Sequence, residues 1–265
     1  MPDRGSPLPG RHLWQRLLDV TSSALASGAL LPIETDFDCV EQDGVRFLLR
    51  VASNLRRKAA LQPRPQPASG AGRFNPFLPP EPALLVGDIS RSHRAVLNKF
   101  NVMPHHLLLV TRAFEHQECL LNPGDFSALC VCMGAFPSLG FYNGGAAAGA
   151  SQSHKHLQLV PLPLGGGESA TPIQPLLDAA PSGCAAGRVP GLGYAHAFCR
   201  LEAGLWKDPE RAATAAWERY IALLDALGIG VVSSGGEARR TCAQHGDPPP
   251  NTRGRLRQRR QRAQF

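Results

Sequence analysis

The chain has 265 residues, 43% of them hydrophobic and 18% charged, which is enough to bury one good-sized core, and its 24 Pro and 27 Gly make it loop-rich. No run approaches the ~18 uninterrupted apolar residues of a membrane helix. The opening MPDRGSPLPGRHLWQRLL lacks the apolar middle and cleavage site of a signal peptide, so a cytoplasmic protein with no membrane association is expected. The net charge of +7 suggests nucleic acid until it is located: from Ala238 to Phe265 eight Arg stand against one Asp, so residues 1–237 sum to about zero. The body therefore gives no ground for specific nucleic-acid binding. The seven cysteines form no C-x-x-C pair and read as free thiols in a reducing compartment.

In chain order, residues 11–27 predict an amphipathic helix with Leu13, Leu17 and Leu25 among its apolar positions and Gly28 as its stop. Alternation over Ile33–Cys39 and Val45–Val51, with Asp43-Gly44 between, predicts a β-hairpin. Residues 53–58 are basic, and 62–82 form a loop ending in Asn75-Pro76-Phe77-Leu78-Pro79. Strands are expected at Leu84–Ile89 and His106–Thr111, joined by a segment holding Asn98-Lys99. Asn122-Pro123-x-Asp125 is a helix start, with the helix running to about Phe136. A short strand over 139–143 leads into Gly144-Gly145-Ala146-Ala147-Ala148-Gly149-Ala150-Ser151, a run of nearly bare backbone.

That run feeds His154-Lys155-His156-Leu157-Gln158. On a strand, side chains at i, i+2 and i+4 share a face, so His154, His156 and Gln158 point one way and Lys155, Leu157 and Leu159 the other. A lone strand histidine is ordinarily a satisfied polar residue. Two at alternate positions, after a loop whose glycines let backbone N–H groups approach an anion, describe a phosphate-handling site with an imidazole nucleophile. A His-x-His metal chelate would need further ligands, and no nearby Cys or carboxylate presents itself. No Gly-Lys-Ser/Thr closes the glycine run, so it is not a P-loop.

Beyond the motif, 165–191 is a Gly/Pro/Ala-rich excursion and Tyr194–Phe198 is expected to return as a strand, with His196 structural. Asp208-Pro209 opens a final helix with Trp217, Tyr220, Leu224 and Leu227 among its core positions, ending at Gly228. Two units are expected: a folded domain over 1–232, and an Arg/Pro-rich tail over 233–265 that has no apolar periodicity and is expected to be disordered.

The motif resembles the His-x-His-x-Gln signature of the histidine-triad nucleotidyltransferase branch, in which Gln158 stands where the hydrolase cousins have a third His. The approach Phe141-Tyr142-Asn143, the small-residue loop, the His-Lys-His-Leu-Gln run, Asn98-Lys99-Phe100, Pro104 to Thr111 and Glu115-His116-Gln117 together resemble the diadenosine tetraphosphate phosphorylases, also called ATP adenylyltransferases. The resemblance covers about residues 30–225. It implies a histidine-triad-like α+β fold, a mainly antiparallel sheet with packed helices. It also implies phosphorolysis of a dinucleoside polyphosphate by orthophosphate, with His156 as the adenylylated nucleophile and His154 orienting it. Gln158 and the backbone of Gly149, Ala150, Ser151 and Gln152 would stabilise charge on the phosphate. Lys58, Asn98, Lys99 and Asn143 are the implied nucleotide contacts. A divalent cation, magnesium, would arrive with the nucleotide, and no protein metal ligands are expected.

Three rival readings stay open. A hexose-1-phosphate uridylyltransferase would share His-x-His-x-Gln, although that family has Pro where Lys155 stands. A nucleotide-binding protein without turnover is the second. An RNA-binding protein acting through the Arg tail is the third. The family continues past residue 232 with strand, helix and a Tyr-Asn-x-x-x-Thr…Trp block not found here, so the tail is expected to be a frame-shifted translation, its Arg/Pro/Gly/Gln mixture matching GC-rich coding DNA read out of frame.

Overall fold

The computed structural model describes residues 7–8, 10–42, 45–52, 74–164, 170–181, 183, 186–234, 237–242 and 262–264. Its centre is an antiparallel sheet in the order β10-β6-β7-β5-β4-β3. The strands are β3 (Leu85–Asp88), β4 (His93–Leu97), β5 (Leu107–Thr111), β6 (Ser138–Asn143), β7 (His156–Pro161) and β10 (Arg262–Gln264). Helices α1 (Gly10–Ala26), α2 (Pro123–Met133), α3 (Gln174–Ala179) and α4 (Pro209–Ala226) complete an α+β arrangement.

The two faces of the sheet differ because the strands alternate. Register places Ala95, Leu109 and Leu157 in one row and Leu97, Leu107 and Leu159 in another, all fully or nearly fully buried. This is the core face, joined by Phe126 and Leu129 of α2 and Tyr220 and Leu224 of α4. The opposite face carries Arg94–Val110–His156 and Val96–Leu108–Gln158 as rows. Gly140 is where β6 meets α2, since a Cβ there would lie 2.9 Å from Leu129 Cδ1.

Helix α1 follows its predicted span and ends before Gly28 at φ 73°. Its core face is Leu13, Leu17, Val20, Thr21 and Ala24, whereas Leu25 is 48% exposed, because it falls outside the arc that turns toward the sheet. The hairpin β1 (Thr35–Gln42) and β2 (Val45–Ala52) has the expected register, Val40 opposite Phe47 and Asp38 opposite Leu49. Arg50 ties it to the body by donating to Val102 O and Leu164 O, both at 3.2 Å. The turn pair Asp43-Gly44 lies outside the described residues.

Three departures from the sequence expectation follow from pairing that periodicity alone does not reveal. The connector between the two predicted strands contains a further strand, β4, whose first residues His93 and Arg94 are polar yet pair with Asp125 and Asp88. Tyr194–Phe198 forms no strand; only Phe198 pairs, in an isolated bridge with Gly187, while His196 Nε2 accepts from Val189 N–H as a structural group. Beyond Ser233, where no regular structure is expected, β8 (Ile229–Ser234) pairs with β9 (Glu237–Cys242) and β10 adds to β6. The rest of that tail lies outside the described residues.

Candidate active site

His156 opens β7, and its imidazole is held by its own neighbour: Nδ1–H donates to His154 O at 2.8 Å. That bond fixes the tautomer, so Nε2 keeps its lone pair, and among the described residues nothing hydrogen-bonds to it. Burial pushes the His156 pKa below the ordinary imidazole value, and this outweighs the raising effect of the bond to His154. A neutral ring with an open Nε2 is a nucleophile at neutral pH.

His154 lies just before β7, where it bridges to His116. Its link to His156 runs through its carbonyl, not its ring. The ring itself is spent on protein partners: Nε2 lies 2.8 Å from Thr111 O and 2.9 Å from Thr111 Oγ1, and Nδ1 lies 2.9 Å from Asn75 Nδ2. Phe77 packs edge-on to His154 and tilted against His156, with centroids 5.6 and 5.5 Å away, so the 75–77 turn roofs the histidine pair.

Gln158, on the same face, is part of a polar chain. His106 Nε2–H donates to Gln158 Oε1 at 3.0 Å, and Asn98 Nδ2–H donates to His106 Nδ1 at 3.2 Å. Burial drives the His106 pKa down to about 4, which keeps the ring neutral and the chain directed. With its oxygen taken, Gln158 has its amide N–H groups left for a ligand. Asn98 thus reaches the site through His106, while its neighbour Lys99 pairs with Glu81 at 2.7 Å on the surface.

The loop after β6 is shaped by glycine. Gly145 sits at φ 93°, and a Cβ on it would fall 2.6 Å from Glu118 Cγ; Gly149 sits at φ 97°. Of the four N–H groups expected to face phosphate, those of Gly149 and Ala150 close the loop on itself, donating to Ala146 O and Gly145 O. Those of Ser151 and Gln152 carry no hydrogen bond among the described residues. Asn143 gives its carbonyl to Gln117 Nε2 at 2.8 Å. Lys58 lies outside the described residues.

Behind the histidines lies a buried ionic cluster. Lys155, fully buried, places Nζ 2.5 Å from Asp125 Oδ2, 3.0 Å from Glu115 Oε2 and 3.0 Å from Leu120 O. His93 Nε2–H donates to Asp125 Oδ1 at 2.9 Å. Burial alone would raise the Asp125 carboxyl, but the His93 bond and the Lys155 charge hold it below the usual carboxylate range. Burial would likewise lower Lys155, and the Asp125 and Glu115 charges and bonds overturn that and raise it.

The sequence reading did not single out Asn75, Thr111, His106 or Gln117 as site residues. Their partners lie 79, 43, 52 and 39 positions away, so no local spacing marks them. Among the described residues no group of three or more His, Cys, Asp or Glu side chains could hold a metal ion, and no helix is long and apolar enough to cross a membrane. A cavity of about 350 Å³ lies along α4, lined by Arg200, Leu205, Arg211 and Glu218 among others; no site residue lines it.

The chain is 35% identical over 132 residues to diadenosine 5',5'''-P1,P4-tetraphosphate phosphorylase 2 of Saccharomyces cerevisiae, a match covering 44% of this chain and 39% of that protein. It is 37% identical over 101 residues to Protein APA1 of the same organism, covering 34% and 32%. The matched stretch thus spans less than half the length of either relative. The fold is similar to that of yeast Ap4A phosphorylase Apa2 solved in complex with Ap4A, with a TM-score of 0.65 and 24% identity over 82% of this chain and 73% of that one. The Apa2 complex with AMP gives a TM-score of 0.61 over 80% and 70%. The family model described as the Ap4A phosphorylase N-terminal domain matches residues 4–179, about two thirds of the chain, and the chain therefore belongs to the Ap4A phosphorylase family.

Proposed function

We propose that this chain phosphorolyses diadenosine tetraphosphate to ATP and ADP, carrying the adenylyl group on His156. The observation that supports this reading most is the His156 imidazole, with Nδ1–H spent on His154 O and Nε2 left open. The names of its relatives point to the same substrate. Nε2 attacks the α-phosphorus, and the P–O bond to ATP breaks as the P–N bond forms. The adenylylated ring carries a positive charge and keeps its Nδ1–H on the His154 carbonyl. An orthophosphate oxygen then attacks the same phosphorus, the P–N bond breaks, and ADP leaves a neutral His156 behind.

Gln158 donates its amide N–H to a non-bridging oxygen, joined by the N–H groups of Ser151 and Gln152, while Gly149 and Ala150 shape that loop. An amide at 158 offers no base to activate water, which fits phosphate as the acceptor. Asn143, Asn98, Lys99 and Lys58 are proposed nucleotide contacts, with Lys99 exchanging Glu81 for phosphate. A magnesium ion would arrive with the nucleotide and neutralise polyphosphate charge. On this reading the chain is a member of the histidine-triad-like branch and acts in the cytoplasm.

Incubation with diadenosine tetraphosphate and phosphate, resolved by chromatography, is expected to yield ATP and ADP in equal amounts. His156→Ala is expected to reduce turnover to background with the fold intact. Nucleotide supplied without phosphate is expected to leave an adenylyl group on His156. Mass spectrometry placing that group on Lys155 or Lys99 overturns the assignment, and turnover of UDP-glucose instead points to the uridylyltransferase reading.

A further inference from the structure

A His-x-His motif offers two imidazoles on one face, and something has to decide which one reacts. Asn75, on the turn that roofs the pair, is placed to do so. Its Oδ1 accepts from Phe77 N–H at 3.0 Å, which settles the orientation of the amide and turns Nδ2 toward His154. At 2.9 Å an N–H donor there demands a bare, accepting Nδ1 on His154. The proton must then sit on Nε2, and the far side of the ring agrees. Nε2 faces Thr111 O at 2.8 Å, an acceptor only, and Thr111 Oγ1, whose own proton is directed at Lys155 O. Both nitrogens of His154 are therefore occupied, one by an acceptor and one by a donor. His154 is 1% exposed, so no water competes for either.

We propose that Asn75 is a positioning residue that fixes His154 as the uncharged, Nε2-protonated tautomer, occupying its only lone pair and so leaving His156 as the sole open nucleophile of the motif. The consequence for catalysis rests on the reading of His156 given above; the tautomer assignment does not. Protonation of His154 at Nδ1 would set an N–H against the Asn75 amide N–H, so the geometry opposes a second charge beside the reacting phosphate. The titratable and charged groups around His154 are Glu115 and His116 after β5, Arg94 on β4, and His156 at the start of β7. Burial disfavours the imidazolium most and acts in the same direction as Asn75; the Thr111 and Ala113 carbonyls and Glu115 favour it, and Arg94 disfavours it.

The test is nitrogen-15 NMR of the imidazoles in the full chain, with His154→Gln identifying the His154 signal among the nine histidines. The wild-type spectrum is expected to show His154 with Nδ1 unprotonated and Nε2 protonated near neutral pH. Asn75→Asp keeps the acceptor for Phe77 N–H but presents a carboxylate to Nδ1. It is expected to convert His154 to the imidazolium and move its titration upward by about 1–3 pH units. The acid limb of the kcat/KM profile is expected to move up with it. A wild-type His154 protonated on Nδ1 overturns the proposal without any variant, as does a titration unmoved by Asn75→Asp in a folded protein. The expected spectra in a protein that cannot turn over diadenosine tetraphosphate uphold the Asn75 assignment and overturn the functional reading instead.

Discussion

One side chain holds both backbone polar groups of His156. Gln117, 1% exposed, accepts from His156 N–H at 2.8 Å and donates Nε2–H to His156 O at 3.2 Å and to Asn143 O at 2.8 Å. Its amide stands where a strand would otherwise be, since β6 pairs with β7 only as far as Phe141 opposite Gln158 and then departs into the site loop. Gln117→Leu leaves a buried N–H without an acceptor, an expected loss of about 1–3 kcal/mol in denaturant unfolding. On the proposed reading of His156 as nucleophile, its displacement is expected to lower kcat on the order of 10²-fold, with the KM for dinucleotide little changed. Gln117→Glu, which keeps the acceptor and loses the donors, is expected to fall between. Steady-state kinetics with equal kcat for all three proteins would remove Gln117 from the positioning of His156. Residues of this kind were not legible in the sequence. The period of two fixes that His154, His156 and Gln158 share a face, because it depends on the strand alone. What those side chains touch depends on turns and strands tens of residues away, so Asn75 read as loop and Gln117 only as part of a resemblance.

Among the elements, helix α2 matters most to the site, and its first turn shows why. Asn122 caps it by accepting from Asp125 N–H, and Asp125 Oδ2 accepts from Asn122 N–H in return at 2.7 Å. From the sequence this is a helix start with an acid in the first turn, a reading the structure repeats. The same carboxylate also meets His93 from β4 and Lys155 from the strand run, which no local rule contains. Asp125→Asn leaves the buried ammonium of Lys155 with Glu115 and a carbonyl alone, an expected loss of about 3–5 kcal/mol in urea unfolding. Asp125→Asn with Lys155→Met is expected to cost less than the sum of the single changes, because the second removes the charge the first strands. Additivity in that cycle would show that the pair is not coupled. Strand β4 escaped the pattern for a related reason: His93 and Arg94 look like surface residues until their partners on α2 and β3 are in place.

For the molecule as a whole, these groups set a pH window. His106, with its pKa near 4 in the folded chain, binds a proton more readily once unfolded. Between about pH 6.5 and 4 the unfolded state therefore carries more protons, and stability falls as pH is lowered through that range; His154 and His156 act in the same direction. The His106 share is on the order of 3 kcal/mol by about pH 4. Asp125, held low, contributes fully above the ordinary carboxylate range and loses its contribution as pH falls below it. Lys155, held high, contributes below its ordinary range and loses its contribution as pH rises past it. Urea midpoints are thus expected to be highest from about pH 7 to 9. The acid slope is expected to flatten in His106→Gln, and an unchanged slope would assign the acid loss elsewhere.

The residue between the two histidines belongs to the core as much as to the motif, and this constrains descent. Lys155 and Asp125 are thirty positions apart, yet either one changed alone strands a charge inside the protein. A lineage departing from His-Lys-His must cross that destabilised intermediate or alter both codons together. The middle letter of the signature is thereby kept by the fold, so its persistence in a descendant would say nothing about whether that descendant still handles phosphate.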